Sequence, residues 1–168
     1  KNKNRLLTSY PGATGLKTGY TSRAGRCLAF GAQRDGMEVV GVVLGCQDWF
    51  DEAERLMDGC FETYTMAHVL GPMESAGQIA VEEGRSQTVQ LCVMQELAAP
   101  LAGGETAQIV LDVPECVTAP VYPGMHVGTA HLVVGGQEYA QCEVVASERV
   151  DGRSLVLDVR RILSKWVL

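Results

Sequence analysis

Hydrophobic positions fall into two textures along the chain. Up to about residue 66 they form a few long runs, and beyond it they form short alternating runs broken by Gly and Pro. In the first part, residues 15–21 read as a short strand after Pro11-Gly12, and residues 27–33 as a second after Ala24-Gly25. Asp35-Gly36 between two apolar runs is a hairpin signal, because both residue types tolerate the positive φ that a two-residue turn needs. In residues 37–45, Val39, Val40, Val42, Val43 and Leu44 make the run almost continuous, which predicts a strand buried on both faces. Helical spacing then takes over, with Phe50, Ala53, Leu56, Met57, Cys60, Phe61 and Tyr64 recurring at three- and four-residue steps. Asp48 stands where an N-cap belongs, and Asp51 and Glu52 put negative charge in the first turn. Gly59 weakens this helix slightly. The expected order is strand, strand, strand, helix, with one face of the helix on the sheet.

The texture changes near Val69-Leu70-Gly71-Pro72. Val89, Leu91 and Val93 alternate with polar or smaller residues, as do Ala107, Ile109, Leu111 and Val113. Leu132-Val133-Val134 runs into Gly135-Gly136 and then Glu138-Tyr139, a two-residue hairpin. Short strands with such turns predict a small antiparallel sandwich or barrel. At the end, Val156, Val159, Ile162, Leu163 and Trp166 alternate with Arg160, Arg161 and Lys165 at helical spacing. An amphipathic helix with basic residues and a terminal Trp suits a membrane surface. A helix packed on its own domain, or a strand followed by a frayed end, fits the same residues.

Composition narrows the classes. The formal net charge is −6, with no basic stripe to offset it, which argues against a nucleic-acid partner. Lys1 to Arg5 is locally basic and reads as a solvated end. The basic start is not followed by an apolar stretch of signal-peptide type, and no run is long enough to cross a bilayer. The six cysteines, at 27, 46, 60, 92, 116 and 142, include no Cys-x-x-Cys pair, so neither a zinc site nor a redox motif is expected. Most sit in apolar runs and read as small buried hydrophobes. Cys27 with Cys46, on neighbouring strands, is the first pair to test for a disulfide. His68, His126 and His131 are scattered and read as surface or loop residues. No metal or other cofactor is expected.

The residues that carry chemistry are Lys17-Thr18-Gly19. A site that holds a peptide ending in a carboxylate needs a cation, which Lys17 supplies, and a hydroxyl donor, which Thr18 supplies. Gly19 removes a side chain, so a ligand can lie against the strand backbone. An extended peptide can then pair with the strand edge. The amide of Tyr20 is placed to be one donor of an oxyanion hole.

The surrounding sequence, Asn4-Arg5-Leu6-Leu7, Tyr10-Pro11-Gly12, Gly15-Leu16-Lys17-Thr18-Gly19-Tyr20-Thr21 and Ala24-Gly25, resembles a region of the D-alanyl-D-alanine carboxypeptidases, serine-type low-molecular-mass penicillin-binding proteins. Val42-Val43-Leu44-Gly45 and Phe50-Asp51-Glu52-Ala53 resemble that family's next strand and helix. The resemblance implies an α+β chain in three parts. Residues 1–66 would be the end of a β-lactamase/transpeptidase-like catalytic domain, three antiparallel strands plus a helix. Residues 67–154 would be a small all-β sandwich, and 155–168 an amphipathic helix or the start of a membrane anchor. It also implies peptidoglycan stem peptides and β-lactams as ligands, with Lys17, Thr18, Gly19 and Tyr20 as substrate-binding residues. The location would be outside the cytoplasm of a bacterium, at its membrane. The family's acylated serine comes from Ser-x-x-Lys, and a Ser-x-Asn motif completes its site. None of the seven serines here begins either motif, so no catalytic residue is assigned and the chain by itself is expected to be inactive. Trp49 stands where many relatives carry a basic residue. The family's sheet bears helices on both faces, so strand 37–45 is expected to be poorly covered and to favour self-association. A β-rich pedestal or interaction module, and an unrelated all-β binding domain with a chance Lys-Thr-Gly, are the competing readings.

Overall fold

Asp35 and Gly36 both take positive φ, 49° and 80°, and close a tight hairpin between two antiparallel strands. In this computed structural model, which describes residues 2–153, those strands are β2 (Gly25–Arg34) and β3 (Met37–Val43). β1 (Lys17–Thr21) pairs antiparallel with β2, giving a three-stranded sheet in the order β1-β2-β3. The helix follows as α2 (Trp49–Thr63), after a four-residue α1 (Leu6–Ser9) that the sequence pattern does not announce. Asp48 holds the N-cap position, but its side chain makes no capping hydrogen bond. Tyr64 opens the next strand and does not extend the helix.

The core of this part lies between one face of the sheet and α2. Leu28, Phe30, Ala32 and Val43 meet Ala53 and Met57, with Leu6 and Tyr10 completing the buried set. Strand side chains alternate between faces, so Val40 and Val42 point the other way. They are 64% and 61% exposed, and Leu44 beyond them is 74% exposed. This corrects the expectation of a strand buried on both faces: β3 is covered by α2 on one face only. The start of the chain also departs from a solvated end. Asn4 and Leu6 are buried, and the segment docks on α2 through Arg5–Asp51, Ser9–Glu54 (2.8 Å) and Tyr10–Asp58 (2.7 Å). Asp51, Glu54 and Asp58 stand three and four residues apart, one polar stripe of the helix.

After α2 come β4 (Tyr64–Leu70), β5 (Ser75–Glu82), β6 (Thr88–Val93), β7 (Leu97–Ala102), β8 (Ala107–Asp112), β9 (Cys116–Thr118), β10 (His126–Val134) and β11 (Gln137–Ala146). Six of these form one sheet in the order β8-β10-β11-β6-β5-β9, while β4 and β7 pair with each other. All ladders in the large sheet are antiparallel except β5 with β9. Gly135 and Gly136 turn the β10–β11 hairpin with φ of 58° and 82°. At the centre of this sheet Val144, Val145 and Ala146 of β11 are buried in succession against Val93, Cys92 and Leu91 of β6. Burial on both faces belongs here, not to β3.

The chain divides into two compact units, Lys1–Ala67 with Pro100–Glu105, and His68–Ala99 with Thr106–Leu168. The amphipathic stretch 155–168 lies outside the described residues.

All six cysteines are free thiols, so the Cys27–Cys46 pairing is corrected. Cys27 neighbours Leu28, which is buried under α2, and so points to the opposite face; Cys46 packs against the helix-side core. The two sulfurs are separated by the sheet. The three histidines sit on strands, His68 on β4 and His126 and His131 on β10, not on loops. His68 meets Glu96 at 2.6 Å and His131 meets Glu138 at 3.0 Å.

Candidate functional site

Lys17, Thr18, Gly19 and Tyr20 are consecutive residues of β1, an edge strand. The pairing is Lys17 with Ala29, Thr18 with Leu28, Gly19 with Cys27 and Tyr20 with Arg26. One side of the backbone is therefore satisfied by β2, and the other meets no strand among the described residues. Gly12 sets the approach to this edge. It takes φ +82°, a β-carbon there would stand 2.2 Å from the Gln33 carbonyl oxygen, and its own carbonyl accepts the Gln33 N–H at 2.9 Å. Residues 12–14 thus run beside the end of β2, and β1 continues along the same side.

The two faces of β1 differ. Leu28 and Phe30 are buried under α2, so Thr18 and Tyr20 belong to the helix-side face, and Lys17 and Gly19 to the other. The Lys17 ammonium donates to the Thr18 carbonyl. Thr18 is half-buried, and Tyr20 is 71% exposed. A β-carbon on Gly19 would meet only the carbonyl oxygen and β-carbon of Cys27, at 3.9 and 4.0 Å, which is ordinary contact. Nothing inside the fold requires glycine there. The space it leaves opens outward, as an approaching backbone needs.

Beyond Tyr20 the surface dips into a depression of about 500 Å³, lined by Tyr20, Gly25, Arg26, Gly45, Cys46 and Gln47. Arg26 is exposed and donates to the Gln47 carbonyl at 3.0 Å. The sequence pattern singles out neither Arg26 nor Gln47. Arg26 reaches the site only because the 21–24 turn brings β2 back beside Tyr20, and the Asp35-Gly36 hairpin in turn returns β3 and the segment after it. Three serine hydroxyls are spent elsewhere: Ser9 on Glu54, Ser86 on the Thr88 carbonyl and Ser147 on the Gln90 carbonyl. Among the described residues no group of three or more His, Cys, Asp or Glu side chains could hold a metal. A second, polar depression of about 420 Å³ lies on the large sheet, lined by Met94, Gln95, His126, Thr129, Gln141, Cys142 and Glu143. Burial pushes the Cys142 thiol pKa up, which favours its neutral form.

Comparison with known proteins matches these two parts separately. Residues 1–48 match the family of D-alanyl-D-alanine carboxypeptidases, and residues 64–152 match the C-terminal domain of penicillin-binding protein 5. The D-alanyl-D-alanine carboxypeptidase DacF of Bacillus subtilis is 25% identical over 171 residues, covering 98% of this chain and 44% of its own length. A D-alanyl-D-alanine carboxypeptidase of Streptomyces sp. strain K15 is 54% identical over 44 residues, 26% of this chain and 15% of its own. The crystal structure of the D-alanyl-D-alanine carboxypeptidase DacD from Francisella tularensis superposes with a TM-score of 0.61 at 25% identity, over 90% of this chain and 39% of that one. The chain spans less than half the length of each of these relatives. With the Lys-Thr-Gly edge strand in its first part, and a match to the penicillin-binding protein 5 C-terminal domain over more than half its length, the chain belongs to the D-alanyl-D-alanine carboxypeptidase family.

Proposed function

We propose that this chain supplies one wall of the peptide-binding cleft and the β-rich domain of a serine-type D-Ala-D-Ala carboxypeptidase. The whole enzyme removes the terminal D-Ala from peptidoglycan stem peptides, outside the cytoplasm and at the membrane. A serine hydroxyl attacks the penultimate carbonyl, D-Ala leaves, and water releases the acyl group. That serine and its base are residues other than those of this chain. Lys17, Thr18, Gly19 and the Tyr20 amide bind the extended peptide along β1 and steady the oxyanion. The observation that carries this reading is the Lys-Thr-Gly sequence on an edge strand whose outer side meets no strand among the described residues, and a glycine that the fold itself does not require.

The test is to titrate the chain with an N-acetylated peptide ending in D-Ala-D-Ala and follow backbone amides by NMR. Shifts centred on residues 17–21 are expected. Gly19→Ala keeps the thermal midpoint but weakens binding by about tenfold or more, since a methyl group now occupies the approach. Shifts confined to the large sheet, or unaltered binding by Gly19→Ala, overturn the reading. Fluorescent penicillin is expected to leave this chain unlabelled, since no serine in it begins Ser-x-x-Lys.

Two finer readings accompany this one. The exposed row Val40, Val42 and Leu44 favours self-association through the uncovered sheet face. A strictly monomeric sedimentation profile with little binding of an apolar dye counts against it. The β domain is a pedestal that works beside a membrane, with the basic residues of 155–168 on the lipid. Flotation with anionic vesicles by the full chain, lost when residues 154–168 are deleted, is the expected result.

A further inference from the structure

We infer that the polar depression on the large sheet binds an uncharged saccharide; this stands independently of the peptide-binding reading of β1. Its volume of about 420 Å³ falls in the range of small-ligand pockets, about 300–1,000 Å³. Strand register gathers its side chains. Thr129 of β10 pairs with Glu143 of β11, and Gln141 lies two residues along β11 on the same face. A bulge between His126 and Gly128 leaves Val127 outside the pairing and sets His126 opposite Val145, again two residues from Glu143. Gly128 permits this arrangement, since a β-carbon there would stand 2.1 Å from the Asp112 carbonyl oxygen. The remaining wall is the turn after β6. It is fastened to β11, because the Met94 N–H donates to the Glu143 carbonyl at 3.0 Å and the Gln95 backbone hydrogen-bonds the Cys142 sulfur. Main-chain pairing thus shapes the depression before any ligand arrives.

Elsewhere on this sheet polar side chains pair with one another, as His131 does with Glu138 and Gln90 with Gln78. Gln95, His126, Thr129, Gln141 and Glu143 make no side-chain hydrogen bond among the described residues, yet all five line one concavity. Their hydrogen-bonding capacity is left for a ligand. Charge selects its class. No Lys or Arg among the described residues lines the depression, and the Glu143 carboxylate repels an anion. Two amides, a hydroxyl and an imidazole offer donors and acceptors together, the mixture that a ring of hydroxyl groups matches. The two oxygens of Glu143 can accept from neighbouring hydroxyls of one sugar, in charge-assisted bonds. Met94, 46% exposed, supplies a flexible apolar side chain at the rim for the C–H face of the ring.

The experiment titrates the full chain with N,N′-diacetylchitobiose, cellobiose and, as an anionic sugar, glucuronate, and follows backbone amides by NMR. Saturable shifts are expected with at least one neutral disaccharide at residues 94–95, 126–129 and 141–143, and none at 17–21. Glucuronate is expected to leave these amides in place. Glu143→Gln and Gln141→Ala each weaken disaccharide binding by about tenfold, the loss of one or two ligand hydrogen bonds. Both leave the thermal midpoint unchanged, since neither side chain bonds within the fold among the described residues. Gln78→Ala, outside the depression, alters nothing. If neither disaccharide shifts these amides, or glucuronate shifts them equally, the saccharide assignment is overturned. Shifts that persist unweakened in the Glu143→Gln, Gln141→Ala double variant overturn it as well, because the sugar then binds elsewhere.

Discussion

Gly41 shows how closely one residue can be tied to its neighbour. It pairs with Phe30 across the hairpin, and a β-carbon there would stand 2.3 Å from the phenyl ring. The ring fills the space that glycine leaves under α2. Gly41→Ala is therefore expected to cost about 1–3 kcal/mol in a denaturant titration, the usual range for overpacking. Tyr10 is a second such residue. Burial first, and then the Asp58 carboxylate that accepts a hydrogen bond from its hydroxyl, raise its pKa from 10.0 to about 12, with the Arg34 guanidinium partly opposing the shift. The neutral phenol is the form that folding favours. Its contribution to stability is present in full below pH 10.0 and fades as the pH rises through about 12. Tyrosinate absorbance should show one late component, absent in Tyr10→Phe and moved to lower pH in Asp58→Asn. A late component that survives Tyr10→Phe would place the shifted phenol elsewhere.

On the scale of elements, α2 holds the first part together by two different faces. Ala53 and Met57 bury into the sheet, while Asp51, Glu54 and Asp58 hold the start of the chain. Gly59 belongs to neither face, because a β-carbon there would meet nothing within 4 Å. Gly59→Ala should therefore stabilise the chain by about 0.5–1 kcal/mol, through helix propensity and the less flexible unfolded chain. A loss of stability would mean that the space is filled by something other than solvent. The strands teach the opposite lesson about local patterns. β3 and the end of β11 both carry consecutive apolar residues, yet only β11 is buried on both faces. A continuous apolar run records that a strand can be covered twice, and its neighbours decide whether it is. For β3 the described residues provide α2 on one side.

At the scale of the whole molecule, the cysteines give a direct check. Cys27 and Cys46 lie on opposite sides of a sheet, and no pair among the six is bonded. Alkylation after unfolding without reductant should label six thiols per chain, and four would mean a disulfide and a different pairing in the first sheet. Much of this architecture was legible in advance, because hairpins and amphipathic helices are written in local chemistry. Asp35-Gly36 and Gly135-Gly136 mark turns through their tolerance of positive φ, and the spacing of Phe50, Ala53, Met57 and Phe61 marks a helix face. The Lys-Thr-Gly strand could be recognised for the same reason, since the three residues of its motif are adjacent. What depends on distant partners was not legible. The docking of Asn4 to Tyr10 on α2, the parallel placement of β9 against β5 and the arrival of Arg26 beside Tyr20 need the chain to be folded first. The sequence by itself determined the turns, the periodicities and the identity of the edge motif, because each is a property of residues within one turn of one another. Only the tertiary structure decided which face of each strand is covered and which residues stand beside Tyr20, because both depend on what the fold brings into contact.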